Sequence, residues 1–232
     1  MTGLAVRSRE EEQMDAADLD AATYAAILSD LARVNRLTFT ARPTLAFLDR
    51  AIGTRGRIRL LDVGFGQGDL LRAVARWARR RGIEATLTGI DLNPRSAPIA
   101  RAATPAETRI DYRTGDCHDL AGEGFDVIVS SQVTHHMTDD QLLAFLRFME
   151  KEAAAGWFIC DLHRHGFAYH GYPLLARLMG WHRIVREDGQ LSIARSFRPA
   201  EWREIIARAG LTQAAPRVFR AFPFRLCVER LR

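Results

Sequence analysis

Long hydrophobic runs, lysine and paired cysteines are what this 232-residue sequence lacks. No stretch of about 18 apolar residues occurs, which excludes a membrane-spanning helix. Residues 1–20 carry acids where a secretory signal needs an apolar core, so no signal is read there. The three cysteines, Cys117, Cys160 and Cys227, are scattered without CxxC spacing. They support neither a disulfide framework nor a zinc knuckle, and the expected setting is cytoplasmic. Lys151 is the only lysine, so the net charge of +5 rests on arginine. The arginines are spread along the chain. Their densest group, Arg76, Arg79, Arg80 and Arg81, falls at a predicted helix end, where cations favour the helix dipole. A nucleic-acid face needs a stripe or an arm, so no nucleic-acid partner is expected.

What is present suffices for one substantial core: 47% of the residues are hydrophobic and 26% charged. There is no repeat or low-complexity tract. Residues 1–55 read as an N-terminal helical cap segment and 56–232 as the main domain, with a frayed start expected over about 1–20. Tyr24, Ile27, Leu28 and Leu31 fall on a helical stripe. Pro43 reads as an interruption, before a short helix ending near Gly53. An alternation of strands and helices follows. Strands are predicted at 58–63, 85–90, 109–113, 125–129 and 157–160. Helices are predicted over 70–81, from Pro94, and over 138–150. That rhythm predicts an α/β fold with a mostly parallel sheet, binding its ligand at the carboxyl ends of the strands. Residues 163–198 break the rhythm and read as a helical lid insertion. A helix over 199–209 and a hairpin around 218–228 close the chain.

The strongest motif is Asp62-Val63-Gly64-Phe65-Gly66-Gln67-Gly68, after a strand and before a helix. Glycines at alternate positions let the backbone turn tightly and approach a ligand. A dinucleotide fingerprint requires a glycine three residues after Gly66, where Asp69 stands. No Gly-Lys-Ser/Thr follows, so a triphosphate loop is excluded. Asp62 and Asp69 oppose an anionic ligand and suit a cationic or neutral one. Asp91, followed by Leu92, ends the second strand and can accept hydrogen bonds from both hydroxyls of a ribose; the alternative is a helix-capping role.

The pattern D-x-G-x-G-x-G resembles the first motif of class I S-adenosylmethionine (SAM) dependent methyltransferases. Asp116-Cys117 after the third strand is similar to that family's adenine-binding Asp and small residue, although Asp116 reads equally well as a turn residue. Phe125 to Gln132, including Ser131 and Gln132, resembles its fourth-strand motif. The resemblance covers about residues 58–161. It implies a Rossmann-like, seven-stranded sheet with an antiparallel last strand, SAM as cofactor, and Asp62 at the cofactor's positive end. Asp30 to Leu37, together with Asp161 to His165 and Ser192 to Phe197, resembles a bacterial branch found beside type III polyketide synthases. That implies O-methylation of resorcinol-type phenols in secondary metabolism. Asn35 and Arg36 are candidates to close over the cofactor from the N-terminal helix, although Arg36 reads equally well as a surface arginine.

Methylating a phenol, whose pKa lies near 10 as in tyrosine, benefits from a general base, and histidine suits neutral pH. His135 and His136 follow the fourth strand, and His163 and His165 the fifth. His136 and His163 are the favoured catalytic candidates, with His135 next; each can equally be a structural histidine. Asp161, His163 and His165 alternate, and two histidines and a carboxylate can ligate a metal, but Arg164 opposes a cation, so no metal is assigned. Tyr24, Phe39, Phe167, Tyr169, Tyr172 and Trp181 are candidates for an apolar pocket. The expected protein is a small-molecule O-methyltransferase acting on an aromatic acceptor, as a monomer or homodimer. C-methylation of a quinone precursor and a SAM-binding module without turnover stay open. RNA methylation is favoured only by charge.

Overall fold

The structure, a computed structural model, describes residues 4–16 and 18–232. Helices α1 (Ala21–Leu37) and α2 (Ala41–Ile52) precede β1 (Arg57–Val63), α3 (Asp69–Arg81), β2 (Glu84–Asp91), α4 (Ser96–Ala102) and β3 (Asp111–Thr114). Then come β4 (Phe125–Ser131), α5 (Asp139–Glu152) and β5 (Ala153–Leu162). Helices α6 (Gly166–Leu178), α7 (Arg183–Arg195) and α8 (Pro199–Arg208) lead to the final hairpin, β6 (Arg217–Ala221) and β7 (Arg225–Leu231). The seven strands form one sheet in the order β3-β2-β1-β4-β5-β7-β6. The pairings among β1 to β5 are parallel, whereas β7 runs antiparallel to both β5 and β6. This is the expected Rossmann-like arrangement with a reversed last strand.

Strand side chains alternate between two buried layers, as a sheet covered on both faces requires. Leu60, Val127, Val129, Phe158 and Cys160 pack toward α2, α3 and α4. Leu61, Ile128, Trp157 and Ile159 pack toward α5 and α8. Helix α3 shows how the local sequence sets an element. Leu70, Leu71, Val74, Trp77 and Ala78 form its buried stripe. Arg79, Arg80 and Arg81 face the negative end of its dipole, and Gly82 takes the left-handed conformation that ends it. Helix α5 begins in a capping box: Gln141 N–H donates to Thr138 Oγ1, and Thr138 N–H donates to Gln141 Oε1. Thr138→Ala is expected to cost about 1 kcal/mol, read as a lowered denaturant midpoint with the slope unchanged.

Four expectations need correction. Pro43 does not interrupt a helix; it is the third residue of α2, where a missing N–H breaks no intrahelical bond. Pro94 lies just before α4, in a turn held by Ser96 N–H on the Asn93 carbonyl and Arg95 N–H on Asn93 Oδ1. Strand β5 starts at Ala153 rather than Trp157, because Ala153 pairs with Phe125 on β4. The start of the chain is docked rather than frayed. Ser8 N–H donates to the Ala194 carbonyl, and the Arg7 guanidinium lies 3.8 Å from the Phe197 ring centroid. Asp188 accepts the backbone N–H groups of Gln13 and Met14. Residues 1–3 and 17 of that expected frayed start lie outside the described residues.

Candidate active site

The carboxyl ends of β1, β2 and β4 open into a cavity of about 1150 Å³, roofed by α1, α6, α7 and the docked N-terminal segment. It lies where the strand order turns from β1 to β4, the place where such sheets bind ligands.

Its floor is the glycine loop. Gly64 and Gly66 both adopt positive φ, +76° and +53°. A Cβ on Gly64 would stand 2.3 Å from Val133 Cγ2, so only glycine lets the loop pack there; Gly66 opens to the cavity, its nearest neighbour being Leu28 Cδ2 at 3.7 Å. Gly68 caps α3. Asp62 is 1% exposed, and neither carboxylate oxygen has a hydrogen-bond partner. Burial holds its carboxyl well above the usual carboxylate range, and the charges of Asp69 and Asp91 push the same way. Asp91 resolves its two readings into one arrangement. Oδ2 accepts from Gly66 N–H at 2.9 Å and Oδ1 from Asn93 N–H at 2.9 Å. It ties the loop to β2 and does not cap α4, while still lining the cavity. Burial raises its carboxyl despite these bonds.

The other expected cofactor residues separate into two groups. Leu92, Asp116, Cys117, Ser131, Gln132 and Asn35 line the cavity. Asp116 is a turn residue in its contacts, its Oδ1 accepting from His118 N–H. Asn35 Nδ2 donates to Asp69, and Gln132 Nε2 donates to Asn35 Oδ1. Arg225 Nη1 donates to Gln132 Oε1, and its other amino group donates to the hydroxyls of Thr38 and Thr40. This chain of bonds joins α1 to β4 and β7 beneath the cavity. Buried Arg225 was not anticipated, since nothing in its local sequence distinguishes it from the other arginines. Arg36 is corrected: it is exposed and lies outside the lining. The side chains at i and i+1 diverge on a helix, so Asn35 takes the inward position and Arg36 the outward one.

The three candidate bases also part. His136 lines the cavity, with Nδ1 2.9 Å from Asp15 Oδ2. His135 is buried. Burial works against its protonation, but the charge and hydrogen bond of Asp161, with Nδ1 2.7 Å from Oδ1, prevail with help from Glu12 and push its pKa to about 10. Burial likewise opposes the Asp161 charge, yet His135 and Thr134 hold its carboxyl down to about 2. His135 is therefore corrected from free base to cationic partner of a buried acid. His163 is corrected as well, because it does not line the cavity. Burial and the positive charge of Arg220 lower its pKa to about 4. Its ring lies 5.5 Å from that of His165, which stacks on Phe224. Asp161, bound to His135, does not converge with these two.

Of the expected apolar residues, Tyr24, Phe167 and Tyr172 line the cavity, joined at its mouth by Leu174, Leu175 and Leu178 of α6. Phe39 is exposed under Arg42, and Trp181 packs beside Tyr172 within the helical cluster of α1, α6 and α7. Glu12 and Asp15 were missed. Only an acidic run marks them in sequence, and docking places them far from their neighbours along the chain.

Residues 60–153 match the family described as "Methyltransferase domain". A ubiquinone biosynthesis O-methyltransferase of Cereibacter sphaeroides is 32% identical over 161 residues, spanning 66% of this chain and 60% of that protein. The chain thus spans less than two thirds of that relative. Among solved structures, magnesium protoporphyrin IX methyltransferase of Synechocystis, with bound SAH, superposes with a TM-score of 0.58 at 17% identity, covering 94% of this chain and 90% of its own. The plantazolicin methyltransferase BpumL, in complex with SAH and a substrate analogue, gives 0.64 at 14% identity, covering 88% and 90%. The chain thus shares its Rossmann-like, seven-stranded fold with these two methyltransferases. Among the described residues, no helix is long and apolar enough to cross a membrane.

Proposed function

We propose that this chain transfers a methyl group from SAM to a phenolic hydroxyl of a small aromatic acceptor. The observation that carries the reading is Asp62, a buried carboxylate without a partner beside the glycine loop. An orphaned buried acid costs free energy unless a ligand satisfies it, and a cationic α-amino group does so. The remaining residues fit the rest of that cofactor. Asp91 faces the ribose, and Asp116 and Cys117 face the base. Ser131, Gln132, Leu92 and Asn35 complete the wall.

Held by these residues, SAM would supply an electrophilic methyl group on a sulfonium, whose thioether is the leaving group. The protein's share is alignment and exclusion of water. The helices α6 and α7 serve as the lid, and their apolar mouth selects an acceptor with an apolar body. His136, steadied by Asp15, engages the acceptor hydroxyl.

The names of the curated relatives support oxygen as the acceptor atom and a phenol of quinone-precursor type over a polyketide resorcinol. Calorimetric titration is expected to show one SAM per chain, and Asp91→Ala to weaken it at least about tenfold, the worth of a charge-assisted hydrogen bond. Product fragmentation by mass spectrometry distinguishes O- from C-methylation. No binding by the wild type, or unchanged binding by Asp91→Ala, overturns the cofactor reading.

A further inference from the structure

Three side chains from two distant parts of the chain converge at the roof of the cavity. Glu12 Oε1 lies 3.5 Å from His135 Nε2, and Glu12 Oε2 lies 3.8 Å from His136 Nε2. One donor atom from each of the three falls within 4.8 Å of the other two. Each imidazole has its other nitrogen on a carboxylate, His135 on Asp161 and His136 on Asp15. A carboxylate behind Nδ1 orients the ring and aims Nε2 forward, the outer shell that metal-ligating histidines have; at His135 a metal ion would take the place of the Nε2 proton, since ligation requires the deprotonated nitrogen. Here both Nε2 atoms aim toward the same carboxylate. Glu12 itself is 3% exposed, yet its Oε1 has no hydrogen-bond partner. Arg195 approaches that oxygen at 3.7 Å but donates its N–H groups to the carbonyls of Glu10, His135 and His136. It holds the backbone of the cluster and leaves Glu12 Oε1 without a hydrogen bond.

We propose that Glu12, His135 and His136 form a binding site for a divalent transition metal ion, with its open positions toward the acceptor chamber. Two imidazoles and one carboxylate suit Zn²⁺, Mn²⁺ or Fe²⁺ and suit Mg²⁺ or Ca²⁺ poorly. Ligand atoms about 2.0–2.2 Å from a metal stand roughly 3.0–3.5 Å apart, so donors that lie within 4.8 Å of one another must draw together when the ion binds. The role of the open positions rests on the function proposed above: there they meet the acceptor oxygen, and His136 acts on the hydroxyl through the metal. The binding of the ion itself does not depend on that function.

The test is a Zn²⁺ titration of the full chain against a chromophoric chelator, with SAM calorimetry and thermal melting on every variant. One Zn²⁺ per chain is expected. Asp15→Asn, which alters only the outer shell, is expected to weaken it about 10–100-fold. Glu12→Gln and His136→Ala are expected to weaken it by more than that, with SAM binding retained. A second cluster, Asp116, Cys117 and His118, also brings ligand atoms together, so His118→Ala is the control and should leave Zn²⁺ affinity unchanged. The proposal fails if folded, SAM-binding wild type takes up no Zn²⁺. It also fails if His118→Ala abolishes uptake, or if Asp15→Asn and His136→Ala bind as the wild type does. Loss of SAM binding with Zn²⁺ uptake intact would instead overturn the proposed function and leave the metal site standing.

Discussion

Asp62→Asn is expected to move two measurements in opposite directions. SAM affinity should fall about 10–100-fold, since hydrogen bonds to a charged group contribute about 1.5–3 kcal/mol. The cofactor-free protein should become more stable at neutral pH, because the amide, unlike the carboxyl, needs no proton taken up on folding. The pH dependence has a definite sign. Burial, then Asp69 and Asp91, raise the folded-state pKa of Asp62. The folded protein therefore keeps this proton where the unfolded chain, titrating near about 3.9, has released it. The stability contribution is full below that value and is lost as pH rises through the folded-state pKa. Urea midpoints measured from mildly acidic to neutral pH should fall for the wild type and fall less for Asp62→Asn. Burial also raises the carboxyls of Asp69 and Asp91, so the variant keeps part of the slope. Equal midpoints and equal affinity in the two proteins would remove Asp62 from the cofactor site.

Gly64→Ala should be among the most damaging single substitutions in the loop. At φ +76° an alanine pays about 1–2 kcal/mol for the left-handed conformation. Its methyl also meets Val133 Cγ2 at 2.3 Å, and overpacking of that kind costs about 1–3 kcal/mol. Gly66→Ala carries the backbone cost alone, because its methyl meets no atom closer than 3.7 Å. That methyl instead narrows the space along the cavity floor. The two variants should thus separate: the first mainly lowers the unfolding midpoint, the second mainly lowers SAM affinity. Denaturant titration beside calorimetry reads both, and equal midpoints for Gly64→Ala and Gly66→Ala would show that Val133 yields without cost.

The sheet was legible because it is built from local signals. Buried runs such as Leu60-Leu61 and Val127-Ile128-Val129, set between turn residues, mark strands wherever they fall. The glycine loop with Asp62 and Asp91 was legible for the same reason: a tight turn and a strand end constrain residue type locally. The catalytic wall was not. His135 and His136 are neighbours in sequence with opposite fates, since one reaches Asp161 on β5 and the other Asp15 before α1. His163 shares a strand end with Asp161 but lies outside the cavity, which no spacing rule reports. Ala153-Ala154-Ala155 favours helix by propensity, and pairing with β4 overrides it.

The docked N-terminal segment has a consequence for synthesis. A chain is made from its amino end, so Glu12 and Asp15 emerge before the residues they contact. Asp15 finds His136 only after a further 121 residues, and Gln13 finds Asp188 after 175. Until then the segment stays hydrated through Glu10, Glu11 and Glu12, an acidic run that does not seek a core. Residues made well before their partners are thus among the last to take their places, and the chamber they roof is completed only when residues 136 and 188 have been made.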